Sequence, residues 1–178
     1  MTIPAANRNR VDTMGEIKPK EKLFPCLLDR LTDNEPGKRK ESRKDRVMNI
    51  QQYRNAVLRD VAWLLNTYAN EELGGFDQYT ELSSSVLNFG FRNVAGMTVS
   101  SLSADEIEYQ LIEALRRFEP RILPNTISID IAVDPDEMTN RSLRFEIRGD
   151  LWSLPIPESL FIRTQLDLET GKIKFTRG

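Results

Sequence analysis

The chain has 178 residues, of which 29% are charged and 39% apolar, and its formal net charge is −2. These values are typical of one soluble globular domain, and no apolar run reaches the roughly 18 residues that a membrane-spanning helix needs. Because the chain has no histidine and only one cysteine, histidine-based triads, histidine metal sites and internal disulfides are excluded. We therefore expect no metal and no other cofactor. The enzyme classes that stay open use carboxylates alone, as glycoside hydrolases do.

Residues 1–46 are predicted to form a flexible tail ahead of the folded domain. The first 20 residues are polar and without periodicity, and they lack the apolar segment of a secretory signal, so we expect a cytoplasmic protein. Residues 33–46 are rich in lysine and arginine, but no aromatic residue interleaves with them. This composition favours a solvated linker over a nucleic-acid-binding segment.

A short apolar segment, residues 23–31, stands between these two polar regions. Its large apolar side chains are Leu23, Phe24, Leu27, Leu28 and Leu31. The three last leucines share one face of a short helix. Two interpretations are open: the segment packs back onto the domain, or it docks on a partner protein. Cys26 lies among these residues, where a buried and unreactive thiol is expected.

Residues 47–178 are predicted to form one domain, and its first element is an amphipathic helix. Over residues 47–68, apolar residues recur at three- and four-residue steps and so lie on one face. The stripe consists of Ile50, Tyr53, Val57, Val61, Leu64, Leu65 and Tyr68. Arg59 and Asp60 fall on the opposite, polar face, and Trp63 lies beside the stripe, where we expect it to pack.

Two further helical segments follow. Residues 83–90 predict a single helical turn that ends at Gly90. A second long helix is predicted from Ser103, because Ser103 and Glu106 match the spacing of a capping box. Its apolar stripe is Ile107, Leu111, Leu115 and Phe118.

Beyond residue 121 the apolar residues alternate with polar ones, which is the period of a β-strand. Alternating runs cover residues 127–133, 143–148, 160–168 and 173–175. Short connections, including a tight turn with glycine at residues 169–171, favour antiparallel pairing. The predicted fold class is therefore α+β, with two main helices packed on a small antiparallel sheet of three to four strands.

The change from helical to strand period falls at Glu119, Pro120 and Arg121. Pro120 disfavours helix in the residue before it, and the two flanking residues place opposite charges on either side of this rigid point. Such a triplet can dock a partner, brace the junction between helix and sheet, or supply one acid of a carboxylate catalyst. The sequence singles out no second acid, which disfavours catalysis.

Several segments together resemble TssE, a family of baseplate proteins of bacterial type VI secretion systems. The family is shared with phage tail baseplate wedge proteins that are sometimes labelled lysozyme-like. The similar segments are residues 23–31, 57–67, 85–90 and 118–122, followed by the strand-rich C-terminal region. They occur in the same order and with compatible spacing over residues 23–176. Residues 66–68 depart from the family pattern, which often has an arginine after the threonine.

The resemblance implies a structural, non-enzymatic role. Proteins of this family form a wedge with two larger baseplate subunits, TssF and TssG, and the ring of wedges then seeds polymerisation of the contractile sheath. Glu119, Pro120, Arg121 and the segment 23–31 are then expected to contact these partners, without nucleic acid and with the membrane only through the assembled machine. A sheath strand can extend an exposed sheet edge by β-augmentation.

Two other function classes stay open at this point. One is a carboxylate-based peptidoglycan hydrolase with Glu119 as an acid, and the other is a nucleic-acid-binding module that uses the basic residues 38–46. Peptidoglycan turnover and salt-sensitive DNA binding are the measurements that would identify them.

Overall fold

The computed structural model describes residues 23, 25–32, 36–37, 48–70, 79–98, 101–132, 142–153 and 156–176. Three α-helices precede a four-stranded antiparallel sheet in this part of the chain, which confirms the predicted α+β class. The predictions for the tail 1–20, for most of the basic linker and for Phe24 concern residues outside the described ranges. None of the described helices is long and apolar enough to cross a membrane.

The helices and strands have the following bounds. The α-helices are α1 (Leu27–Leu31), α2 (Ile50–Leu65) and α3 (Ala104–Phe118), and short 3-10 helices cover Thr80–Ser84, Val86–Asn88 and Pro124–Thr126. The strands are β1 (Ser128–Ala132), β2 (Ser142–Leu151), β3 (Glu158–Asp167) and β4 (Lys172–Thr176).

Helix α2 begins at a capping box that the sequence analysis did not identify. The backbone N–H of Gln52 donates to Asn49 Oδ1 at 2.8 Å, and the backbone N–H of Asn49 donates to Gln52 Oε1 at 2.9 Å. The predicted stripe is buried from Tyr53 to Leu65, whereas Tyr68 lies beyond the end of the helix and is 46% exposed. Helix propensity and periodicity therefore predicted the buried face of α2, but not its first residue.

The capping box predicted for α3 is wrong. The helix does begin after Ser103, but the Ser103 side chain makes no capping hydrogen bond. Glu106 pairs instead with Arg92 at 2.7 Å, because an ion pair with a neighbouring segment competes for its carboxylate. The predicted stripe of α3 is correct, since Ile107, Leu111 and Leu115 are buried and Phe118 packs partly buried against the core.

The sheet is a simple meander in the order β1-β2-β3-β4, and every neighbouring pair is antiparallel. The predicted turn between β3 and β4 is confirmed, with Gly171 at a φ of +67°. One face of the sheet carries the apolar side chains of all four strands and packs against the long helices, as alternation at period two requires. The core therefore lies between this face and α2 and α3.

The apolar segment 23–31 is divided between core and surface. Leu23 is 1% exposed and forms an isolated antiparallel bridge with Met48, whose backbone N–H donates to Leu23 O at 2.9 Å. Helix α1, which follows, has no buried residue, and Leu27 and Leu31 are 70% and 75% exposed. Leu23 therefore packs onto the domain, while α1 presents leucines to solvent.

Candidate functional site: the helix-to-sheet junction

The backbone of the Glu119–Pro120–Arg121 triplet is held at both ends. Glu119 ends α3, and its N–H donates to Leu115 O at 2.9 Å. On the other side, the N–H of Trp152, just past β2, donates to Arg121 O at 2.8 Å. The predicted change from helix to strand falls at this point, and the fold fixes its geometry from two elements.

Glu119 and Arg121 form a bidentate ion pair. Arg121 Nε lies 2.7 Å from Glu119 Oε1, and Arg121 Nη2 lies 2.5 Å from Glu119 Oε2. The backbone N–H of Arg121 also donates to Glu119 Oε1 at 3.2 Å. Glu119 is 3% exposed and the Arg121 side chain 19%, so both charges are largely removed from water. Such a pair fixes orientation as well as charge.

The ion pair continues into a longer chain of alternating charges, which we call the junction network: Glu119, Arg121, Asp60, Arg59 and Asp29. Arg121 Nη2 is 2.6 Å from Asp60, Arg59 is 2.7 Å from Asp60, and Arg59 is 2.6 Å from Asp29. The network therefore joins the end of α3, the polar side of α2 and the surface helix α1. Asp29 also accepts a hydrogen bond from the Cys26 thiol at 2.9 Å, and Cys26 is half-buried rather than fully buried as expected.

The electrostatics of the junction network favour the charged forms of Arg121 and Asp29. Burial acts to lower the pKa of Arg121, but the hydrogen bonds and charges of Glu119 and Asp60 outweigh burial and raise it. Burial likewise acts to raise the pKa of Asp29, but the hydrogen bonds from Cys26 and Arg59 outweigh it, so that the net pKa is lowered. Arg121 and Asp29 are therefore both stabilised in their charged forms.

A cleft of about 440 Å³ opens beside the junction network. Its lining residues are Cys26, Leu28, Asp60, Trp63, Leu64, Phe89, Phe118, Glu119, Pro120 and Arg121. Trp63 is 53% exposed, rather than packed as expected, and the Arg59 guanidinium lies 5.2 Å from its ring centroid. The cleft thus combines exposed apolar surface with charged groups of fixed orientation.

The 3-10 helix Val86–Asn88 places Phe89 in this cleft. Asn88 is 2% exposed, and its amide accepts from the Asn70 N–H at 3.0 Å and donates to Ser83 O at 3.1 Å. Phe89 then meets Phe118 of α3 edge to face, with ring centroids 5.4 Å apart. Buried polar bonds of this kind hold the apolar side of the cleft in place.

The structure brings some of the predicted site residues together and separates others. Glu119, Pro120, Arg121 and Leu28 all line the cleft. Leu27 and Leu31 lie on the same helix as Leu28 and face solvent, whereas Leu23 is in the core. Contact of these residues with a partner stays a prediction.

Three residues of the junction network were missed. Periodicity places Arg59 and Asp60 on the polar face of α2, and nothing in it connects them with Asp29 or Arg121. The segments that carry the family resemblance do contain them, since Asp29 lies in residues 23–31 and the other two lie in residues 57–67. The position of these charged residues inside the segments that resemble the family was therefore the signal that could have identified them as site residues.

The junction network is a chain of ion pairs between carboxylates and guanidinium groups. In the described part of the chain, no group of three or more aspartate, glutamate or cysteine side chains is placed to hold a metal ion. Helices packed on an antiparallel meander, with a buried ion-pair junction and an open apolar cleft, define a small α+β protein built around that junction.

Comparison with protein families identifies this class more closely. The family described as baseplate wedge protein gp25 matches residues 51–155, a range that includes Asp60, Trp63 and the junction triplet. The chain belongs to the baseplate wedge protein gp25 family, which is also the family of TssE, so the resemblance seen in the sequence is confirmed. Proteins of this family are generally structural components of phage-tail-like baseplates. Comparisons with curated proteins and with solved structures give no significant match.

Proposed function

We propose that this protein is a wedge subunit of a type VI secretion baseplate, which joins TssF and TssG and seeds polymerisation of the contractile sheath. It would act in the cytoplasm, in a baseplate docked on the membrane through the assembled machine. Family membership supports the baseplate role. The observation that carries the proposed partner contact is the open cleft beside the junction network.

The cleft has the composition of a protein-binding hot spot. Half-exposed Trp63 and Leu28 offer apolar area to a partner, and Pro120 adds a rigid edge. Interface energy concentrates in aromatic and arginine residues that become desolvated on binding. Glu119 and Asp60 already hold the Arg121 side chain in one orientation, so this side chain would lose little further conformational entropy when a partner binds.

Helix α1 enlarges this surface. Leu28 lines the cleft, and Leu27 and Leu31 of the same helix are mostly exposed. None of the five residues of α1 is fully buried, so packing stabilises this helix little, and the Asp29–Arg59 ion pair is its clearest attachment to α2. We propose that partner subunits cover these leucines and complete the packing of α1.

Loss of partner capture by Trp63→Ala tests the proposed cleft contact. We expect co-purification with TssF and TssG to fall by about tenfold or more, as for a hot-spot aromatic residue. Tyr109→Ala is the matched control, because Tyr109 is a 65% exposed aromatic residue on α3 that does not line the cleft. Equal co-purification of both variants and the unmodified protein would reject the cleft as the contact.

The alternative function, peptidoglycan hydrolysis, has a candidate pair of acids in Glu119 and Asp60. A glycosidase needs its two carboxyl groups to face a sugar-sized gap. Here Arg121 Nη2 lies 2.5 Å from Glu119 and 2.6 Å from Asp60, so a guanidinium stands where a substrate would have to bind. We expect no turnover of purified peptidoglycan, and turnover that Glu119→Gln abolishes would overturn the structural proposal.

A further inference from the structure

The connection between β2 and β3 starts beside the junction triplet. Ile122 forms an isolated antiparallel bridge with Leu151, the last residue of β2. Next to this bridge, the Trp152 N–H donates to Arg121 O at 2.8 Å. Residues that oppose each other in antiparallel pairing have Cα atoms about 4.5–5.5 Å apart, so the backbone of Trp152 lies directly beside Arg121. The connection therefore begins at the edge of the cleft, which Pro120 and Arg121 line.

Two large apolar side chains of this connection are exposed. The exposed fraction is 52% for Trp152 and 74% for Ile156, and Pro157 is exposed as well. The backbone between them is held in place, because Ser153, which is 8% exposed, donates from its hydroxyl to the Ile156 carbonyl. We call Trp152, Ile156 and Pro157 the hairpin patch. Its apolar side chains stand on backbone that hydrogen bonds already order, so a partner would lose little by binding them.

The aromatic ring nearby on the sheet has a cover that the hairpin patch lacks. Phe161 of β3 lies between the guanidinium groups of Arg148 and Arg163, which are 5.7 Å and 5.2 Å from its ring centroid. Both arginines also pair with Glu146. That part of the sheet thus balances its own charges and shields its ring. Among the described residues, no cation lies over the ring of Trp152 in this way.

The charges next to the hairpin patch are acidic. Residues 149–162 contain Asp150 and Glu158 but no lysine or arginine. Asp150 accepts a hydrogen bond from the Ser159 hydroxyl at 3.2 Å, and neither carboxylate forms an ion pair within the described ranges. The guanidinium of Arg121 is already bound by two carboxylates of the junction network. A partner that covers this patch would therefore match it with apolar side chains at the centre and lysine or arginine at the rim.

We propose that the hairpin patch is a second docking element for the wedge partner that occupies the cleft. It binds a segment of the TssF–TssG complex that carries apolar side chains beside a lysine or arginine. This inference rests on the proposed function and extends its contact surface from the helices to the β2–β3 connection. Continuity supports it, because one backbone hydrogen bond joins Trp152 to Arg121 at the edge of the cleft. Exposed tryptophans next to such a surface are frequent hot spots of binding energy.

Fluorescence of the free protein tests whether the hairpin patch is open. In Trp63→Phe, Trp152 is the only tryptophan. We expect the emission of a water-exposed indole and efficient quenching by acrylamide. Blue-shifted emission that resists quenching would mean that another part of the chain already covers Trp152. That result would overturn the inference while the proposed function stands.

Trp152→Ala tests the contact with the partner. We expect the Kd for purified TssF–TssG complex to rise about tenfold or more, as for a hot-spot aromatic residue, with little change in the thermal unfolding midpoint. Tyr109→Ala is the matched control, because Tyr109 is a 65% exposed aromatic residue in the first half of α3, and it should bind normally. Unchanged affinity of Trp152→Ala, beside the loss expected for Trp63→Ala, would overturn this inference and leave the proposed function in place.

Asp150→Asn tests the charge of the partner segment. Asparagine keeps an acceptor for the Ser159 hydroxyl but removes the negative charge. We expect the affinity for TssF–TssG to fall about threefold at about 50 mM salt and the difference to vanish at about 500 mM, because salt screens exposed charges. Equal affinity of Asp150→Asn and the unmodified protein at low salt would overturn the basic rim assigned to the partner.

Sedimentation of the free protein tests a second copy of the chain as the occupant. We expect a monomer for both the unmodified protein and Trp152→Ala. A dimer that Trp152→Ala abolishes would identify another copy as the occupant and overturn the inference. An unmodified protein that binds no TssF–TssG complex would overturn the proposed function and this inference together.

Discussion

Glu119 is the residue whose surroundings matter most for the behaviour of the junction. A carboxylate that is 3% exposed needs partners that replace its water, and Arg121 supplies two side-chain hydrogen bonds and one backbone hydrogen bond. Burying such a pair adds little net stability, but removing one partner leaves a charge buried alone. The structure therefore gives Arg121 a role inside the protein in addition to the proposed role at a partner surface.

We expect Arg121→Met to lower the free energy of unfolding by about 3–5 kcal/mol, because the Glu119 carboxylate loses its counter-charge. The double variant Glu119→Gln with Arg121→Met should recover about half of this loss or more, since no uncompensated charge stays buried. Urea unfolding of both variants measures the difference. Equal stabilities for the single and the double variant would show that the buried charge is not the cause.

The double variant also separates folding from partner binding. If Arg121 contacts a wedge partner, the double variant should be folded and still fail to co-purify with TssF and TssG. Normal capture by a folded double variant would restrict Arg121 to its internal role.

A pH dependence follows from Asp29. Its pKa is lowered in the folded protein, so its ion pair stabilises the fold above the ordinary aspartate pKa of about 4 and is lost as the pH falls through the lower, folded value. Asp29→Asn should therefore be less stable than the unmodified protein by about 1–2 kcal/mol at pH 7, and the gap should narrow as the pH falls below about 4. Urea unfolding over this pH range is the measurement. Asp105→Asn is the control. Because the Asp105 carboxylate is exposed on α3, this substitution should lower the stability at pH 7 by less than Asp29→Asn does.

At the scale of elements, the N-terminal apolar segment performs two separate tasks. Leu23 contributes to the core across from Met48, and the three leucines of α1 stay largely outside. A deletion of the whole segment would therefore remove core packing as well as the proposed docking surface. Point substitutions are needed to separate the two.

We expect Leu23→Ala to cost about 2–4 kcal/mol of stability, as for other buried leucines. The pair Leu27→Ser with Leu31→Ser should change the unfolding free energy by less than about 0.5 kcal/mol each, because both residues are mostly exposed, yet reduce capture by TssF and TssG. Urea unfolding and co-purification measure the two effects. Unchanged capture by the serine pair would exclude α1 as a docking element.

A close crossing of two loops sets the position of Phe89. Gly90 has a φ of +148°, and a Cβ atom at this position would lie only 2.5 Å from Thr67 O. The segment that follows α2 therefore passes so close to Gly90 that only glycine fits there. Gly96 also has a positive φ, +81°, but a Cβ atom there would meet nothing within 4 Å. A substitution at Gly96 would therefore introduce backbone strain alone, whereas one at Gly90 would add a steric clash to the strain.

Gly90→Ala should therefore lower the midpoint of thermal unfolding much more than Gly96→Ala does. We expect Gly96→Ala to lower the free energy of unfolding by about 1 kcal/mol, through backbone strain alone. Gly90→Ala should lower it by at least about 3 kcal/mol, because neighbouring backbone must also move. Calorimetry of both variants gives the comparison. Similar losses would mean that the loop crossing adjusts easily.

At the scale of the whole molecule, one core links both long helices and all four strands. It reaches from Leu23 through both long helices to Ile173 in the last strand. A domain with a single shared core generally unfolds in one cooperative step. The cleft and the sheet edges are therefore surfaces of one unit.

The two tryptophans of the chain allow a test of whether the domain unfolds in one cooperative step. Trp63 lies on α2 in the cleft, and Trp152 lies at the end of β2. Variants that keep only one of them, through Trp152→Phe or Trp63→Phe, should show the same urea midpoint by fluorescence as by circular dichroism. Separate midpoints for the two probes would show that the junction and the sheet unfold independently.

The local pattern of the sequence alone determined the α+β class, the buried faces of α2 and α3, the four strands and the turn at Gly171. Each of these features depends on the spacing of nearby apolar residues or on the conformational freedom of a single glycine, and both can be recognised from a short stretch of sequence. The same pattern led to a wrong capping box at Ser103, because a distant arginine, Arg92, competes for Glu106. Local spacing does not show such competition.

Only the tertiary structure decided how the charged residues and sheet edges are used. Asp29, Asp60 and Arg121 come from three separate segments, and their ion pairs form only once α1, α2 and the end of α3 have packed together. The side chain of Asn66 hydrogen-bonds both the N–H and the carbonyl of Ile173 in β4, a residue far along the chain. These contacts depend on long-range packing, in which electrostatic and hydrogen-bond partners are chosen by position in space rather than by position in the sequence.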